Sequence, residues 1–93
     1  MKLIWTREAI NNLLEIEDFI SQHNPVKAIE FIDYFIEQTD NLKDNPNIGR
    51  VVPKISNLNI RELIGKNYRI VYQQIDNEIQ IITVFEAHRQ LPL

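Results

Sequence analysis

The sequence predicts an α+β fold in which an N-terminal strand and an antiparallel helical hairpin precede a small, mainly antiparallel curved sheet, with the hairpin packed on one face of that sheet. Three observations predict it. Apolar residues recur every three or four positions from Ala9 to Leu42. From Val51 to Glu86 they alternate, or run together in segments rich in Ile, Val and Tyr. Between the two regions lies Asn45-Pro46-Asn47-Ile48-Gly49, a collection of residues that turn a chain or resist helix.

Leu3-Ile4-Trp5 is a short apolar run stopped at once by Thr6, Arg7 and Glu8, and it reads as the first strand. It is too brief for a signal h-region or a membrane span. Thr6 is a good N-cap with Glu8 in the first turn, and Ala9, Leu13, Ile16 and Ile20 then fall on one helix face. Asn24-Pro25 is a second start signal, Asn as cap and Pro at the first helical position. Ala28, Ile32, Phe35, Thr39 and Leu42 follow at helical spacing, widened by Phe31 and Ile36, so the second helix should run to about Asp44. Only Ser21-Gln22-His23-Asn24 separates the helices, and so short a link makes antiparallel neighbours.

In the second half, Val51 to Ile55 carries Pro53, which cannot donate to a ladder and belongs at a sheet edge or near a bulge. Ile60–Ile64 and Tyr68–Ile75 flank Gly65-Lys66-Asn67, suited to a hairpin with a three-residue loop, and Asp76-Asn77 turns the next hairpin. Glu78 to Glu86 is the strongest strand segment, expected to be central and buried on both faces over Ile81-Ile82. With the helices on one face, the other face of the sheet is expected to stay open.

A chain of 93 residues, 44% hydrophobic and 25% charged, has room for one domain, residues 1–93, with one core. At this size folding hides only roughly 60–65% of the surface of the unfolded chain, so help from a partner is expected. There is no cysteine, hence no disulfide and no thiolate metal site, in keeping with a cytoplasmic protein; no cofactor or metal is expected. The net charge of −3 is unevenly spread. Residues 8–44 hold nine acids against Lys27 and Lys43, a local −7, while residues 50–69 hold five bases against Glu62, a local +4. An acidic chain is a poor general ligand for nucleic acid, because counterion release needs clustered Lys and Arg. The basic stretch, with Arg89 beyond it, leaves one anion-binding surface, drawn from Arg50, Lys54, Arg61, Lys66, Arg69 and Arg89.

Several segments in this order resemble the RelE/ParE toxins: the strand ending in Trp5-Thr6, the acidic helix pair, Asn45 to Arg50, Ile60-Arg61-Glu62-Leu63, Tyr68-Arg69-Ile70-Val71-Tyr72 and Ala87-His88-Arg89-Gln90-Leu91. The resemblance spans nearly the whole chain. It implies a type II toxin held in a hetero-oligomer by a cognate antitoxin, with contacts expected along the helix hairpin and an exposed sheet edge. It also implies one of two activities, since some members cut mRNA on the ribosome while ParE-like members poison DNA gyrase by binding. A degenerate toxin serving only to hold its antitoxin is a third reading.

Metal-free RNA cleavage needs a base for the 2′-hydroxyl, cations for the phosphorane and an acid for the leaving oxygen. Arg61, Arg69, Arg89 and His88 could supply an anion site, with His88 or Glu62 as proton carrier. The plainer alternatives are an Arg69–Glu62 ion pair, a solvent-exposed or capping His88, a surface His23, and Trp5, Tyr68 and Tyr72 as packing residues. Where the nucleases most similar to RelE carry two lysines, this chain has Ile60 and Glu62. That departure favours the ParE-like reading, growth inhibition by binding a target such as gyrase, over the ribosome-dependent nuclease.

Overall fold

The computed structural model describes residues 1–88, and Arg89 lies outside them. Thr6 and Asn24 cap the helices as their chemistry demands. The Thr6 hydroxyl oxygen accepts from Ala9 N–H at 3.2 Å to start α1 (Arg7–Ser21), and Asn24 Oδ1 accepts from Lys27 N–H at 3.1 Å to start α2 (Pro25–Asp40). A 3₁₀ turn, Asn41–Lys43, carries the second helix on to Asp44. The strands are β1 (Lys2–Trp5), β2 (Arg50–Val51), β3 (Ile60–Gly65), β4 (Tyr68–Ile75) and β5 (Glu78–Glu86), arranged β1-β5-β4-β3-β2. Among the described residues only the β1–β5 pairing is parallel.

The helix hairpin packs on the face that carries Ile70, Tyr72, Ile79, Ile81 and Val84, and these residues share one core with Ala9, Phe31, Phe35 and Leu42. Phe31 and Phe35 meet each other and Tyr68 edge-on, with centroids 4.4 to 6.0 Å apart. The buried stripe of α2 is Ala28, Phe31, Phe35 and Thr39. Ile32 sits at its margin, and Ile36 does not widen it: one position beyond Phe35 is a rotation of about 100°, which leaves Ile36 53% exposed.

Three other expectations are corrected. The β3–β4 loop is the two residues Lys66 and Asn67, both left-handed with φ of 50° and 70°, as a type I′ turn requires. Gly65 belongs to β3 and has ordinary φ; a Cβ there would run into the Tyr34 hydroxyl of α2, which would have to move aside. In β5, which lies between β1 and β4, the continuous burial falls on Thr83-Val84-Phe85 instead of Ile81-Ile82, since a register shift opposite Val71/Tyr72 leaves Ile82 half-buried. Nor is the second face of the sheet open throughout, for Glu62 and Val71 point away from the helix-side core yet are 1% and 0% exposed.

β1 ends at Trp5, so it leaves the outer border of β5 unpaired beyond Ile81. Helix α1 finishes that border. The Thr6 hydroxyl donates to Ile81 O at 2.7 Å, and Asn12 Oδ1 accepts from both Val84 N–H at 3.0 Å and the Thr83 hydroxyl at 2.9 Å. No helix among the described residues is long and apolar enough to cross a membrane.

Candidate functional site

Strand alternation sends Arg61 and Glu62 to opposite faces of β3, and the two meet opposite fates. On the helix side, Arg61 is paired across the ladder with Tyr72. Its Nη1 donates to Gly49 O at 2.8 Å, and the Tyr72 hydroxyl donates to Pro46 O at 2.8 Å while accepting from Gly49 N–H at 2.9 Å. The Pro46–Gly49 turn is thus pinned from beneath by one phenol and one guanidinium. Gly49 is needed at that point, since a Cβ there would stand 2.6 Å from Tyr72 Oη and 2.7 Å from Glu62 O. Burial pushes the Tyr72 phenol above its ordinary 10.0, opposed by the Gly49 hydrogen bond and the nearby Arg61 charge.

The pinned turn feeds β2, whose Arg50 pairs directly with Glu62 across the β2–β3 ladder. On that face Arg50 Nε and Nη2 both reach Glu62 Oε1, at 2.8 and 2.7 Å. Arg69, projecting from β4 on the same face, brings Nη1 to 3.8 Å from Glu62 Oε2 and its guanidinium carbon to 6.0 Å from the Phe85 ring centroid. Glu62 has a side chain of 0% exposure between arginines of 55% and 28%. Two buried polar atoms of this cluster, Glu62 Oε2 and Arg69 Nε, have no hydrogen-bond partner among the described residues. A carboxylate flanked by two guanidinium groups carries a net +1, and Arg50 takes most of the compensation.

The structure therefore gathers Arg50, Glu62 and Arg69 and turns Arg61 and Lys66 to the helix side. Arg61 is turned to the opposite face and committed to the loop. Lys66 sits at the β3–β4 tip, 5.1 Å from the Tyr34 ring centroid on the helix side. Lys54 is exposed in the turn after β2, and His88 is exposed just past β5. Arg89 lies outside the described residues. Residues that sequence reasoning passed over are Gly49, the Tyr72 hydroxyl and Asn12. Gly49 was read only as part of a turn, and Asn12 left a signal as a poor helix former inside α1.

The fold has a counterpart among known proteins. Among solved structures, a chain of the chromosomal ParDE toxin–antitoxin system from P. aeruginosa superposes with a TM-score of 0.80 at 26% sequence identity, covering 95% of this chain and 97% of that one. No curated protein matches the chain in sequence. The family model described as the ParE toxin of the type II toxin–antitoxin system parDE matches residues 3–91. A match over that span, together with a solved ParDE chain of the same fold and length, means that the chain belongs to the ParE toxin family of type II toxin–antitoxin systems.

Proposed function

We propose that this toxin inhibits growth in the cytoplasm by binding a protein target such as DNA gyrase, without chemistry of its own, and that residues 1–93 act as one domain held by its antitoxin in a hetero-oligomer. The observation that carries the reading is the enclosure of Glu62. As a general base it would need an oxygen within reach of a substrate hydroxyl, but the side chain is wholly buried and Oε1 is held twice by Arg50. The chain's acidic balance supports the same reading, since a net charge of −3 works against docking into a polyanion such as ribosomal RNA.

The experiment is a paired incubation of antitoxin-free protein, once with programmed ribosomes and once with gyrase and supercoiled DNA. Inhibited or cleavage-trapped gyrase with intact mRNA is the expected result. New mRNA 5′-ends that require ribosomes, with gyrase unaffected, would overturn it in favour of the nuclease. His88→Ala should leave toxicity unchanged; a loss of about 10²-fold at normal stability would point to proton transfer instead.

A further inference from the structure

We propose that Arg69 and Arg50, with Glu62 between them, form a receptor for one side-chain carboxylate of a protein partner, the antitoxin being the partner that the family supplies. The inference rests on the protein-binding reading above but not on the identity of the target. Three observations carry it. Arg50 saturates one oxygen of Glu62, so Arg69, at 3.8 Å from the other, keeps a charge that its neighbour does not fully offset. Arg69 Nε is buried without an acceptor among the described residues, so the guanidinium has donor capacity that its neighbours leave unused. The guanidinium is held beside the Phe85 ring and keeps 28% of its side chain exposed, so it is oriented and still reachable.

A guanidinium fork binds planar oxyanions through paired N–H donors, and both carboxylate and phosphate satisfy it. The surroundings select between them. The cluster offers a single net positive charge in a chain of net −3, with nine acids on the residues of the helix pair and its flanks. That suits a monoanionic side chain and resists a polyanionic backbone, which needs several cations in a row. Glu62 acts as a positioning residue here, holding the two arginines about one point and setting how much charge they present.

The test is an NMR titration of the ¹⁵N-labelled full chain, following the arginine Nε–H signals and assigning that of Arg69 with Arg69→Lys. The probes are a capped alanine peptide with one central Glu, the same peptide with Gln, and inorganic phosphate. The Glu peptide should move the Arg69 signal saturably and more tightly than either other probe, less so as salt is added. Glu62→Gln, which removes the compensating charge but keeps the side-chain shape, should tighten that binding by on the order of tenfold. If this variant does not fold, the wild-type titration decides alone. Equal response to Glu and Gln, no response, or tighter binding of phosphate would each overturn the inference. A responsive Arg69 in a protein that leaves gyrase untouched would sink the proposed target and spare the receptor; the reverse would do the opposite.

Discussion

The two faces of β3 carry the same kinds of residue and use them differently. Beneath the strand, Arg61 and Tyr72 meet the Pro46–Gly49 turn with direct hydrogen bonds of 2.8 to 2.9 Å to Pro46 O, Gly49 O and Gly49 N–H. Above it, Arg50, Glu62 and Arg69 form a network in which one carboxylate oxygen and one guanidinium nitrogen have no partner among the described residues. A fully satisfied polar bracket fixes a loop, and its removal should show in stability. A half-satisfied one contributes little to folding and leaves donors for something else, so its removal should show in binding.

The comparison breaks or sharpens at four positions. Gly49→Val should be the most damaging, about 3 kcal/mol or more by urea denaturation, because its side chain would have to displace Tyr72 Oη and the Glu62 backbone. A loss under about 1 kcal/mol would mean that the turn gives way freely. Tyr72→Phe should cost about 1–3 kcal/mol, having orphaned Gly49 N–H and Pro46 O. The same residue gives a pH signature. Burial holds the Tyr72 proton more tightly in the folded state, as it does that of Tyr68, so this contribution is fully present below the unfolded value near 10.0 and is lost as pH rises through the folded one. Melting temperatures taken across that alkaline range should fall, and fall less steeply in Tyr72→Phe. Glu62→Gln should cost about 1 kcal/mol, since Arg50 keeps a neutral acceptor and is itself half exposed. Arg69→Met should change stability by no more than about 0.5 kcal/mol while abolishing the response to the glutamyl peptide. A large loss of stability there would make Arg69 structural and erase the contrast between the faces.

Much of the fold was legible in the sequence because its signals are local. Thr6 and Asn24-Pro25 announce helix starts through chemistry that acts within one turn, and Asp76-Asn77 likewise marks a hairpin. What could not be read depends on contacts across the chain. Gly65 stands beside a turn and was assigned to it, whereas its neighbour in space is Tyr34 on α2, more than thirty residues away in sequence. The candidate site shows the same limit. Alternation places Glu62 and Arg69 on strand faces, but only the register, Glu62 opposite Val71 and Arg50 opposite Glu62, decides which arginine reaches the carboxylate. The Arg69–Glu62 pair, open to the sequence as the plainer alternative, is present at 3.8 Å but is the looser of the two contacts. Arg50, grouped at first only with the anion-binding residues, holds Glu62 most closely.

The short first strand has a consequence for the protein outside its complexes. Beyond Ile81 the border of β5 would offer bare amide and carbonyl groups to any extended peptide, including another copy of the toxin. The Thr6 hydroxyl and the Asn12 carboxamide occupy part of that template, with Asn12 taking up Val84 N–H. Replacing Asn12 with leucine would suit the helix and its apolar neighbours, yet it would expose a strand to self-association, a fault visible as concentration-dependent light scattering and absent from any measure of helix content.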